Sequence, residues 1–185
     1  MIKYKTYKYL IKPTNSQKEI IKKNLEACTL VFNKFVAENG LETYKLLKAK
    51  DILGKYKREE ISLMNVDSSA LFNLIINLQD RRYNTHPAKT KKYSVTSYTT
   101  SNLSGVYGIY IINSEYVQIP KLGSIKTVMH RQIPSNYSIQ KASISIDNIG
   151  NYYVCIYCSY ESNSKAYLDI NNSIGLDTLI DKKVK

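Results

Sequence analysis

The chain has 185 residues, 43% of them hydrophobic, and a formal net charge of +12. That length suits one domain, or a small domain with a large insertion, and no run approaches the roughly eighteen apolar residues that span a membrane. The start carries Lys3, Lys5, Lys8 and Lys12 with no apolar segment behind them, which excludes a secretory signal and sets the expected location as cytoplasmic, or nucleoid-associated if DNA-bound.

Ile2 to Lys12 reads as a basic strand that Pro13 ends. Thr14 and Ser16 are both candidate helix caps, with Gln17 and Glu19 three residues beyond them. Ile20, Ile21, Leu25, Cys28, Leu30, Val31, Phe32 and Phe35 recur at helical spacing, predicting a helix from about Ser16 to Glu38 with Gly40 as its stop. A second helix is expected over Leu41 to Lys50, and a weaker one over Asp51 to Asn65, interrupted by Gly54. Asp67 caps the next helix, whose stripe of Ala70, Leu71, Leu74, Ile75 and Leu78 ends at Asp80-Arg81-Arg82. His86 to Lys92 is a basic loop.

Strands follow. Tyr93 to Thr100 alternates, Val106 to Ile112 and Glu115 to Ile119 form a hairpin across Asn113-Ser114, and Ser124 to His130 is a further strand. From Ala142 to Asp147 apolar and polar residues alternate, Asn148 to Asn151 supplies a turn, and Tyr152 to Tyr160 is apolar or amphipathic on both faces. Such a strand belongs inside a sandwich or closed barrel, away from a sheet edge. The lone first strand is unstable alone and is expected to pair with this later sheet, which makes the helices an insertion within a β-domain.

The charge is uneven. The first twelve residues and residues 83–106 contain lysine but no acid, whereas from Ser135 onward acids and bases balance. A concentrated positive field favours polyanions, nucleic acid ahead of a membrane surface. Seventeen tyrosines accompany it. Tyr4, Tyr7 and Tyr9, threaded through lysines, are the candidates for contact with nucleic acid; Tyr152, Tyr153 and Tyr157 are assigned to packing the sheet. Cys155 and Cys158 form a C-x-x-C, but strand positions i and i+3 face opposite sides, so buried thiols are expected rather than a metal site. No short turn joins two helices with a basic second helix, so a simple helix-turn-helix repressor is not expected.

The opening strand with Pro13-Thr14-Asn15-Ser16-Gln17 resembles the start of the TnpB (OrfB-type) insertion-sequence proteins, RNA-guided nucleases related to type V CRISPR effectors. Further resemblances follow in order: Val31-Phe32-Asn33-Lys34-Phe35, Val66 to Leu71, Ile119 to Lys126, Gly150 to Val154, and Ile174-Gly175-Leu176-Asp177, which is similar to the first strand of the family's RuvC-type nuclease domain. The resemblance implies an α+β architecture: a wedge-like β-barrel from residues 1–12 and 93–172, a helical recognition-like insertion over 13–92, and a RuvC-type stub at 173–185. It implies a structured guide-type RNA as partner, with double-stranded DNA beside the target as a second, and no membrane.

A RuvC-type site needs several carboxylates around two metal ions. Only Asp177 stands at a matching position, so no complete catalytic site is expected, and Mg would bind only if a second polypeptide supplied the nuclease domain. The expected function is a nuclease-lacking RNA-binding protein of a transposable element; the alternatives are the first part of a split or recoded nuclease, and a degenerate remnant. Lys3, Lys5, Lys8, Lys121 and Lys126, with Lys89 and Lys91 of the basic loop, are assigned to RNA phosphates. Tyr44, Ser68, Asn73, Thr100 and Asn102 lie where the resemblance puts contacts to DNA. For Ser68 a helix cap and for Asn102 a turn are the competing roles.

Overall fold

The structure is a computed structural model, and it describes residues 1–43, 48–79, 93–102 and 108–162, with side chains in the first segment through Glu38. Tyr44, the basic loop with Lys89 and Lys91, and the 173–185 segment with Asp177 lie outside the described residues.

Strand β1 (Ile2–Lys12) leads into α1 (Asn15–Thr43), α2 (Ala49–Glu59), a 3-10 turn at Ile61–Met64, and α3 (Ser68–Gln79). Strands β2 (Ser97–Ser101), β3 (Tyr110–Ile111), β4 (Tyr116–Ile119), β5 (Gly123–Val128), β6 (Ser138–Ile146) and β7 (Tyr152–Glu161) follow. Together they make an α+β fold with one antiparallel sheet of seven strands, in the order β2-β6-β7-β1-β5-β4-β3. The first strand therefore sits in the middle of the sheet. It pairs with β7 from Ile2↔Glu161 to Ile11↔Tyr152, and with β5 at Leu10↔Val128 through Lys12↔Lys126. The expectation that the opening strand joins the later sheet is met.

Of the two candidate caps, Thr14 starts α1. Its Oγ1 accepts from Gln17 N at 3.3 Å, and its own N–H donates to Gln17 Oε1 at 3.0 Å, a reciprocal capping box. Ile21, Leu25, Cys28, Val31 and Phe35 bury one stripe of the helix. The expected stop at Gly40 and the expected interruption at Gly54 both fail. Helix α1 continues through Gly40 to Thr43, and Gly54 lies inside α2. A glycine weakens a helix by only about 1 kcal/mol, and Ile52, Leu53 and Tyr56 bury the α2 stripe on either side of Gly54. Asp67 caps α3 as expected, its Oδ1 accepting from Ser69 N at 2.9 Å.

The strand expected from Tyr93 begins only at Ser97, because α1 takes the backbone before it: Asn33 exchanges two hydrogen bonds with Tyr93, and Thr29 Oγ1 accepts from Val95 N. Helix α3 then covers the outward edge of β2. Ser69 Oγ accepts from Ser101 N at 2.7 Å, and Asn73 Nδ2 donates to Thr99 O at 2.9 Å. Those backbone groups are thereby closed to another strand. The last hairpin turns through Asp147–Asn151, with Asp147 Oδ1 accepting from Ile149 N and Asn151 N and Gly150 at φ 88°. Strand β7 is not covered on both faces. Val154, Ile156 and Cys158 are buried, and the alternate residues are half-buried. Among the described residues no helix is long and apolar enough to cross a membrane.

Candidate nucleic-acid interface

Side chains alternate across a strand, so residues paired in register share a face. One face of the sheet holds the apolar core: Tyr7, Tyr9 and Ile11 of β1 beside Val154, Ile156, Ile144, Ala142 and Ile125. The other face is polar and basic. From β1 it carries Tyr4, Thr6, Lys8 and Lys12; from β7, Tyr153, Cys155 and Tyr157; from β6, Lys141. Lys8 lies 4.4 Å from the Tyr153 ring centroid, and Lys141 lies 5.2 Å from that of Tyr157. Each ammonium thus rests on an aromatic face while staying exposed to solvent.

Lys12 stands directly opposite Lys126 across β1 and β5. Like charges so placed are destabilising. Glu115 approaches Lys126 to 3.8 Å, but Lys8, Lys12 and Lys141 make no ion pair among the described residues. The result is a continuous surface of unpaired cations interleaved with aromatic rings, which can neutralise phosphates and stack bases.

The sequence-predicted RNA contacts divide. Lys8, Lys126 and Tyr4 (78% exposed) lie on this face; Lys3 and Lys5 point to the opposite side of β1. Tyr7 and Tyr9 do not serve as contacts. They are 2% and 1% exposed and pack the core, so neither ring offers a face to a base. Tyr9 Oη donates to Arg131 O at 2.8 Å, and its pKa is pushed up to about 12 by burial and then by Tyr7, against a lowering by Arg131. Lys121 is exposed in the turn between β4 and β5. There Leu122 N donates to Ile119 O, and Pro120-Lys121 makes a type II turn with Lys121 at φ 65°.

The described residues assigned to DNA are mostly engaged within the protein. Asn73 binds β2 as above and also donates to Ser101 Oγ at 3.0 Å. Asn102 donates to Ile139 O at 2.7 Å and accepts from Ile109 N at 2.6 Å, linking β6 to the residue before β3. Thr100 is 1% exposed. Only Ser68 is exposed, and its hydroxyl accepts from Lys57 Nζ. These side chains are held in place by the fold rather than presented to a ligand.

Three residues were not foreseen. Lys12 and Lys141 gain meaning only from register. Arg131 follows β5; its guanidinium sits 4.6 Å over the Tyr7 ring and donates to Thr6 O at 3.0 Å. No local pattern marks it, because its partners lie some 125 residues earlier in the chain. Cys155 and Cys158 fall on opposite faces of β7, as their spacing requires. Burial, then the Asp67 charge, pushes the Cys28 thiol up to about 12. Among the described residues no group of three His, Cys, Asp or Glu could hold a metal ion.

Comparison with curated proteins gives no match. Residues 1–45 match the family model HTH_OrfB_IS605, described as a helix-turn-helix domain. Its described part here is one strand and one helix that runs unbroken to Thr43. Over the basic central strand and the capped first helix the chain is thus similar to the N-terminal part of TnpB/OrfB insertion-sequence proteins.

Proposed function

We propose that this chain binds nucleic acid through the lysine–tyrosine face of its sheet, as an RNA-binding component of an insertion sequence. The observation that carries the reading is the exposed run of Lys8, Lys12 and Lys141 with Tyr153 and Tyr157, unneutralised among the described residues. The partner is a structured guide-type RNA whose backbone crosses β1. Within this reading the strands form a wedge-like barrel. The bridge that Asn102 makes from β6 to the start of β3 supports such curling. The helices that lie between β1 and β2 in sequence form the recognition-like part.

The test is fluorescence anisotropy with a labelled RNA over a series of salt concentrations. Each phosphate contact contributes about 0.7–0.9 to the slope of log affinity against log salt. A K8Q/K12Q/K141Q variant is expected to lose roughly two units of slope; an unchanged slope rejects the face. Sequencing RNA that copurifies after a high-salt wash tests the partner. One enriched transcript supports a guide-type RNA, whereas a flat ribosomal and transfer RNA profile counts against it.

A further inference from the structure

On the opposite side of β1, past the end of the buried core, a second set of cations and rings converges. Arg131 lies 4.6 Å from the Tyr7 ring centroid and Lys5 lies 5.5 Å from the same centroid. Lys3 pairs in register with Tyr160. Tyr160 stacks on Tyr137 with centroids 4.2 Å apart and planes 1° from parallel, and Tyr137 meets Tyr7 edge-on at 6.3 Å. Lys5 and Arg131 are exposed, and none of the three cations has an ion-pair partner among the described residues. Two cations within 5.5 Å of one ring centroid repel each other, and an anion that reaches both relieves the repulsion. A flat, half-buried pair of phenols beside them is the surface on which an unpaired base stacks.

We infer that Lys5, Arg131 and the Tyr137–Tyr160 stack form a single-nucleotide subsite, distinct from the sheet face, that takes an unpaired nucleotide of the bound RNA. Its phosphate sits between Lys5 and Arg131, and its base extends the tyrosine stack. The inference rests on the nucleic-acid reading above, but it concerns the other face of β1.

The test uses the full chain with two RNA probes, a twelve-nucleotide oligouridine and the same backbone without bases. Y160A should weaken oligouridine binding roughly tenfold and leave the abasic probe unchanged, while Y160F should keep wild-type affinity. K5Q and R131Q should each reduce the salt slope by about 0.7 on both probes. R131K, which keeps the charge, should restore the slope, separating loss of charge from loss of the bond to Thr6. If K8Q and K141Q weaken binding while Y160A and K5Q do not, the subsite is wrong and the sheet face stands. If the wild-type chain binds neither these probes nor structured RNA, both readings fall.

Discussion

Gln17 donates through its side-chain amide to the carbonyl of Leu122 at 3.1 Å, 105 residues further along the chain. The same amide reaches Ser124 O at 2.8 Å, and its carbonyl closes the Thr14 capping box. One buried side chain thus starts α1 and fixes it on the β4–β5 turn. Replacing it by alanine leaves Thr14 Oγ1 its bond from the backbone N–H but removes the other half of the capping box and strands two carbonyls, at roughly 1 kcal/mol for each lost bond. Q17A is expected to lower unfolding stability by about 2–4 kcal/mol in urea titration. A loss under about 1 kcal/mol would show that the bolt is not structural.

Gly54 is a stabilisation site. It lies inside α2, and an added Cβ would meet only Arg58 Nη1, at 3.6 Å, an ordinary contact. G54A should raise stability by about 0.5–1 kcal/mol by restricting the unfolded chain, read as a higher urea midpoint with unchanged slope.

Lys121 is a second such site, for the opposite reason. At φ 65° it occupies the left-handed region, which costs a side-chain-bearing residue about 1–2 kcal/mol. K121G should raise the melting temperature. If Lys121 also holds a phosphate, the same variant should lose about 0.7 of salt slope, so stability and binding move in opposite directions.

Alkaline pH should loosen the fold. Burial raises Cys28 from 9.0 to about 12 and Tyr9 from 10.0 to about 12. In the unfolded chain these groups release protons near their ordinary values, while the folded chain still holds them. Stability is therefore full below about pH 9 and falls as pH rises from there toward 12. Urea midpoints at pH 8, 10 and 11 check the sign. Y9F should flatten the part of the decline above pH 10, at the cost of the bond to Arg131 O.

Local chemistry was legible in the sequence. Thr14 with Gln17, Asp67 before α3 and the Asp147–Asn151 turn all act through neighbours a few residues away. The failures share one physical cause. Tyrosine is amphipathic, so a period-2 pattern containing it does not say which face is dry. Tyr7 and Tyr9, expected to contact nucleic acid, are core, whereas Tyr153 and Tyr157, assigned to packing the sheet, are half-buried under exposed lysines. The decision was made by partners more than a hundred residues away: Tyr9 faces Val154, and Lys8 faces Cys155. Gly40 and Gly54 misled similarly, since tertiary burial outweighs a weak local preference.

The central place of β1 also sets a timetable for synthesis. Ser162 N donates to Met1 O, so the first strand is not fully zipped until the ribosome has added some 161 more residues. At about 5–20 residues per second, the nascent strand waits roughly 8–30 s for β7, the neighbour that pairs with most of its length. During that interval Tyr7, Tyr9 and Ile11 are an apolar, β-prone segment open to other chains. Lys3, Lys5, Lys8 and Lys12 interrupt it at short intervals and keep like strands apart by repulsion. The same lysines that suit the finished sheet to a polyanion thus guard the unfinished one against aggregation.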